Sequence, residues 1–402
     1  MNILRMVNPV QAYAWGSKTF IRDLLCTLKP DNKPQAELWM GAHPKLPSQI
    51  LNGDILVNLD YIIGEDPVDF LGKKTAGMYH DQLPFLLKVL AADEPLSIQV
   101  HPGKKQAKSG FAYEEKAEIP IEAPHRNYKD TNHKPELLVA LTPFHAMCGF
   151  REYSELIQNL KKYLPDTKLA ELDSFIANPN PENLKTLYSA LLKLESIAKD
   201  KLLSAYLKNI EKAGPADEQE KLIKDWTIKL NKFYPKDTGI LSPLFLNIIV
   251  LKPMEGLYLP AGVLHSYLQG AGMEIMANSD NVLRGGLTSK HIDIEELLKA
   301  VDFTSKTIEP VKAIKKTETE AIYKTPAEEF ALSIIKHASE KTINFEPSGS
   351  PEVLFCYEGS FVIENCSQFL TLEKGQSLFV PYEVEGYSIK GTGTIFRAIV
   401  NL

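Results

Sequence analysis

A chain of 402 residues is too long for one ordinary core, and at roughly 150 residues per domain it implies two or three. Hydrophobic residues make up 44% and charged residues 24%, which excludes disorder, collagen-like repeats and small disulfide-stapled folds. The formal net charge of −6 leaves no broad basic field for nucleic acid or an anionic membrane, so an anionic ligand would depend on a few local cations.

The N-terminal apolar run is short and is broken by Pro9 and Gln11, so no secretory segment is expected there. No stretch reaches the length of an uncharged membrane span; even the apolar segment Leu83–Ala92 carries Lys88. Cys26, Cys148, Cys356 and Cys366 form no CxxC pair and suit free thiols in a reducing compartment. The expected location is therefore cytoplasmic.

Three textures follow one another along the chain. Residues 1–150 are rich in Pro, Gly and short apolar runs, the pattern of strands and turns. Within them, Leu96, Ile98 and Val100 alternate with Ser97, Gln99 and His101, which places the three polar groups on one face of a strand. That face is either a ligand row or the solvent side of a half-exposed strand. Farther on, Pro135 drives Lys134 out of helical geometry, and Glu136 opens an apolar strand. Either Lys134 and Glu136 point inward together with His133 turned away, or the stretch is a charged hairpin at a strand edge.

Residues 151–238 switch to helical spacing, as in Leu184, Leu187, Tyr188 and Leu191, with breaks at Asn178–Pro181 and at Gly214-Pro215. This stretch holds no His and reads as a helical insertion with a scaffold or lid role. Strand texture returns over 239–305. There Pro260 and Gly262 make a tight turn, His265 and Tyr267 share a strand face, and a helix is predicted over Ile294–Val301. Arg284 stands before a Gly pair, where backbone approaches a ligand closely, and offers a planar fork of donors to a phosphate or to charge developing on an oxygen. A Lys/Glu/Thr-rich connector and a second all-β unit complete the chain over 306–402. The fold class is mainly β with an α-helical insertion.

Gln99, His101, Glu136 and His265 together supply an amide oxygen, two imidazoles and a carboxylate. Such a set suits Zn²⁺ but also Fe²⁺, Mn²⁺ or Co²⁺. The absence of Cys from it argues against a closed structural zinc site.

The segments LSIQVHP, NHKPE, PAGVLHSY and MANSDNVLRGGLTSKHID, with AYAWGS and AELWMGAHP before them, resemble the type I mannose-6-phosphate isomerases, a zinc-dependent branch of the cupins. The resemblance runs from near the N-terminus to about residue 295. It implies two cupin-like (jelly-roll) β domains plus a helical subdomain. The catalytic one would be discontinuous over 1–150 and 239–305, the helical one would span 151–238, and the one over 306–402 would lack a metal. It implies one Zn²⁺ per chain held by Gln99, His101, Glu136 and His265, with Arg284 in the active site and Ser97, Lys134 and Tyr267 at pocket positions. The implied reaction interconverts mannose 6-phosphate and fructose 6-phosphate through a cis-enediol.

On that reading Lys134 is the candidate base, with a water or a carboxylate as alternatives, and Arg284 steadies the negative oxygen. Ser97, Lys88 and Lys290 are the candidate phosphate contacts. The expected partner is a small sugar phosphate, with neither nucleic acid nor membrane, and the chain a monomer or weak homo-oligomer. The rival readings are a metal-dependent cupin oxygenase or hydrolase and a non-catalytic sugar-binding cupin. Ordinary cupins place a His-x-His and a Glu a few residues apart. Here Gln99 replaces the first His and Glu136 lies far along the chain, which weakens the oxygenase reading.

Overall fold

The computed structural model describes residues 1–26, 32–53, 55–366 and 368–402. It is mainly β, with its longest run of consecutive helices between Tyr153 and Phe233. Two extended sheets organise it.

The first sheet is built around the strand His265–Ala277. Its N-terminal part pairs with Ile98–Val100 and Phe144–Phe150, and its C-terminal part with Phe85–Ala92 and Glu136–Ala140. The change of partners falls at Gly270, whose φ of 127° is in the region that favours glycine. A Cβ there would stand 2.6 Å from the Pro143 carbonyl oxygen. One long strand, bent at a glycine, thereby brings His265 beside Gln99 while its other half supports Glu136 across the ladder.

The second sheet runs from Ile314–Lys315 through Glu320–Tyr323, Ala331–Phe345, Tyr387–Ile399, Glu352–Asn365 and Ser377–Val380. It then continues into Leu4–Val7, Gln49–Asn52 and Ile55–Asn58 from the other end of the chain. The sequence reading grouped those N-terminal strands with the catalytic unit; their hydrogen bonds go to the C-terminal sheet, with Leu4 opposite Phe379. The Lys/Glu/Thr-rich stretch expected as a connector also supplies strands, Ile314–Lys315 and Glu320–Tyr323. Its charge is the composition of a sheet edge, where Lys and Glu discourage further pairing.

A single apolar cluster ties the sheets together. Leu38, Leu87, Val139 and Met273 of the first sheet share it with Leu332, Phe355 and Phe396 of the second. The helical block packs elsewhere. Its helices Tyr153–Tyr163, Pro181–Leu192, Ser196–Lys212 and Glu218–Phe233 contribute Leu160, Leu187, Tyr206 and Trp226 to a cluster that also holds Ile98, Val100, Leu264 and Leu283. The break at Asn178–Pro181 lies where expected, with the Asn180 side chain accepting from the Asn183 N–H and Pro181 opening the helix. The helices thus cover the apolar face of Ile98–Val100, which leaves the face of Gln99 to the site.

A candidate metal centre

His101, Glu136 and His265 converge although they come from three distant segments, and a ligand atom from each lies within 4.8 Å of the others. All three are buried, at 2%, 3% and 4% exposure. His101 follows the strand Ile98–Val100, Glu136 opens Glu136–Ala140 and His265 opens His265–Ala277. The turn before His265 is fastened to its neighbour, since the Gly262 N–H donates to the His101 carbonyl at 2.9 Å. Gly262 has a φ of 84°, which is why glycine stands there.

The two imidazoles are oriented alike. His101 Nδ1 lies 2.8 Å from the Asn281 carbonyl oxygen, and His265 Nδ1 lies 2.9 Å from that of Val263. A carbonyl only accepts, so each Nδ1 carries the proton and each Nε2 presents a lone pair. Those lone pairs face Glu136, at 3.2 Å from Oε1 for His101 and 3.9 Å from Oε2 for His265. His101 Nε2 has no hydrogen-bond partner among the described residues. Burial and the neighbouring His101 lower the pKa of His265 to about 4, so its ring is neutral at neutral pH. Lone pairs aimed at a buried carboxylate repel it, and a cation between them turns that repulsion into bonding. The donor set therefore fits a divalent metal, with each Nδ1–H held by a carbonyl as ligating histidines require.

Gln99 is directly across the ladder from His265 and half-buried. Its Nε2 donates to Ser97 Oγ at 3.1 Å, which leaves the amide oxygen as the end free for a cation. Lys134 Nζ sits 2.9 Å from Glu136 Oε1. Burial would raise the Glu136 carboxyl, but the Lys134 ammonium beside it holds it well below the usual range, so it is ionised. Tyr267 donates to Glu136 Oε2 at 3.4 Å, and burial keeps its phenol protonated.

The remaining candidates divide. Arg284 is opposite Gln99 in the ladder, half-buried, and has no carboxylate partner among the described residues; burial alone lowers its pKa. Lys290 is exposed, and its pKa is lowered by burial and then by Arg284, Lys45 and Lys129. The sequence reading missed Lys45 and Lys129, since nothing in their local pattern marks them; the fold brings them into this cationic group.

Lys88, expected as a phosphate contact, stands among carboxylates. It is 5% exposed, 3.2 Å from Glu274 and 3.9 Å from Glu37, and 5.1 Å from the centroid of the Trp39 ring. Burial would lower its pKa, but Glu37 and Glu274 outweigh that and keep it charged. Its charge is already balanced within the wall. His133, expected to turn away, does so toward the C-terminal sheet, with Nε2 at 2.6 Å from Glu329 Oε1.

A cavity of about 810 Å³ lies in the C-terminal sheet beside Glu320, Phe345 and Arg397. Each guanidinium nitrogen of Arg397 donates to Glu352 or Glu320, so the Arg397 charge is already balanced by carboxylates.

Comparison with known proteins bears on the same segments. Residues 3–153 match the family model of the phosphomannose isomerase type I catalytic domain, and residues 319–400 that of the mannose-6-phosphate isomerase cupin domain. The chain is 42% identical to mannose-6-phosphate isomerase from Escherichia coli strain K12 over 98% of each chain. It is 37% identical to the human mannose-6-phosphate isomerase over 73% of this chain and 72% of that one. Among solved structures, a mutant of phosphomannose isomerase from Salmonella typhimurium superposes with a TM-score of 0.92 at 39% identity, covering both chains fully. A zinc-bound mannose 6-phosphate isomerase superposes with a TM-score of 0.91 at 39% identity over the same full coverage.

The wall around Lys88 gives a prediction for stability. Glu274→Ala leaves a buried ammonium with only the more distant Glu37, and should lower unfolding free energy by about 3 kcal/mol in a denaturant titration. Replacing Lys88 by Met in the same variant should restore part of that loss, because the buried ammonium is gone while Glu37 keeps the Trp39 indole N–H as a donor.

Proposed function

The chain belongs to the type I phosphomannose isomerases, and we propose that Gln99, His101, Glu136 and His265 hold its metal while Lys134 and Arg284 act on the substrate. The enzyme interconverts D-mannose 6-phosphate and D-fructose 6-phosphate, and its cofactor is Zn²⁺. The observation that carries the site assignment is the pair of imidazoles whose Nε2 lone pairs face Glu136 while their Nδ1 atoms are held by carbonyls.

Isomerisation removes the proton from C2 of the aldose and delivers one to C1, with the carbonyl passing from C1 to C2 through a cis-enediol. The two oxygens must be held on one side and the proton moved on the other. Bound zinc supplies Lewis-acid polarisation of the sugar oxygens and steadies the negative charge that develops on them. Lys134 is the proposed proton carrier, since its Nζ reaches the same carboxylate that faces both imidazoles. Tyr267 holds the other oxygen of Glu136 and so fixes the plane of that carboxylate.

Arg284 is the proposed electrostatic partner of the enediolate oxygen. Its register opposite Gln99 and its lack of a carboxylate partner among the described residues support this role. The phosphate is assigned to Lys290, with Lys45 and Lys129 contributing to the same positive region. Ser97 keeps the Gln99 amide in orientation, a task closer to the metal than to phosphate. No helix among the described residues is long and apolar enough to cross a membrane. The free thiols of Cys26, Cys148, Cys356 and Cys366 support the cytosol as the compartment.

An assay with mannose 6-phosphate should lose activity on chelation and regain it with added Zn²⁺. His101→Ala and His265→Ala should each lose metal and activity together; full zinc occupancy in either variant would remove that residue from the ligand set. Arg284→Ala should keep its zinc and lower kcat by about 10²–10³-fold, the range for removing one donor to a developing oxyanion. Zinc loss from Arg284→Ala would place the residue in the support of the metal instead.

A further inference from the structure

Lys134 has to stand at a fixed place to move a proton, yet it lies in an irregular segment between Asp130 and the strand that begins at Glu136. Glu136 is secured by the sheet itself, being opposite Leu259 on one side and Met276 on the other. Lys134 has no such ladder. Two other anchors flank it.

The first is Asn281. Its side-chain amide donates to the Asp130 and Asn132 carbonyls at 2.8 and 2.9 Å, and its side-chain oxygen accepts from the Lys129 N–H at 2.7 Å. The same residue's backbone oxygen accepts from His101. This anchor lies between two strands of the catalytic sheet, His265–Ala277 and Leu283–Gly286, and fixes the segment up to Asn132.

The second anchor comes from the other end of the molecule. His133 Nε2 bonds Glu329 Oε1 at 2.6 Å across 196 residues of sequence. Glu329 is 6% exposed and stands between Ala327 and Phe330, both in the apolar cluster shared by the two sheets. A carboxylate in that position is expensive to bury without a partner. Its second oxygen, Oε2, has no hydrogen bond among the described residues, so His133 is the contact that compensates it. The bond is short and charge-assisted, the kind that fixes geometry most firmly. It draws the side chain of residue 133 outward to the C-terminal sheet and leaves its neighbour Lys134 directed inward at Glu136.

We propose that Glu329, supplied by the C-terminal half of the chain, is a positioning residue that holds Lys134 in its working place by gripping His133. The proposal deepens the reading above and rests on Lys134 acting in proton transfer. It gives the C-terminal unit a part in the reaction, transmitted through one hydrogen bond. Because Glu136 is held by its own ladder, the grip serves turnover and not metal retention.

The test compares zinc content, kcat and KM for Glu329→Ala, Glu329→Gln, His133→Ala, the Glu329→Ala/His133→Ala double variant and Lys134→Ala in the zinc-loaded enzyme. Glu329→Ala should keep full zinc and a nearly unchanged KM while kcat falls by about 10-fold or more, the scale of a misplaced catalytic group. Glu329→Gln still offers an oxygen to His133 and should recover most of the loss. The double variant should be no slower than the slower single variant, as for two residues acting through one contact. Unchanged kcat in Glu329→Ala with only a lower Tm would overturn the proposal, as would losses that multiply in the double variant or zinc lost along with kcat. Lys134→Ala separates the two layers: if it turns over normally, the proton-transfer assignment fails. If it is inactive while Glu329→Ala is unimpaired, the positioning role alone fails.

Discussion

Two imidazole lone pairs and an ionised carboxylate share a buried space, an arrangement that repels itself unless a cation sits among the three. The protein maintains it by covalent and hydrogen-bonded framing rather than by attraction among the ligands. Backbone carbonyls of Asn281 and Val263 fix both rings, the sheet fixes Glu136, and the bend at Gly270 lets one strand serve both sides of the site. Asn281 and the strands that flank Glu136 are remote in sequence from the ligands they hold, while Val263 and Gly270 are close to His265. The fold can therefore be seen as a means of keeping like-charged electron pairs close until metal relieves them.

Charge is partitioned around this point. Glu136 and the wall carboxylates Glu274 and Glu37 gather about Lys88 and Lys134, which balance them locally. Arg284, Lys290, Lys45 and Lys129 form a separate positive region on a chain whose net charge is −6. A sugar phosphate carries both kinds of feature, hydroxyl oxygens for a metal and a dianion for cations. On the proposed assignment, that partition is how an acidic protein would receive an anionic substrate without a basic surface.

Much of this was readable in the sequence where the rule involved is local. Alternation in Ser97–His101 placed the polar row on one face, the Pro260–Gly262 turn announced His265, and Pro135 ended irregular chain before Glu136. The three- and four-residue spacing of the helical block and its break at Asn180-Pro181 were equally plain. What escaped depends on register between distant strands. The sequence around Lys88 does not reveal that Glu274 will stand opposite it. Nor does Leu4–Val7 carry any mark that it pairs with Ser377–Val380, since so short a strand reads the same whichever sheet it joins. His133 was rightly turned from the pocket, but its partner Glu329 lies in a segment with no motif at all.

The account depends most on where the metal binds. Anomalous diffraction from crystals of the zinc-loaded enzyme, recorded on either side of the zinc absorption edge, locates it without reference to activity. One strong peak within about 2.0–2.2 Å of Nε2 of both His101 and His265 and of Glu136, with the Gln99 amide oxygen completing a four-ligand shell, is the predicted result. A peak elsewhere, or full loading with these side chains left uncoordinated, would contradict it.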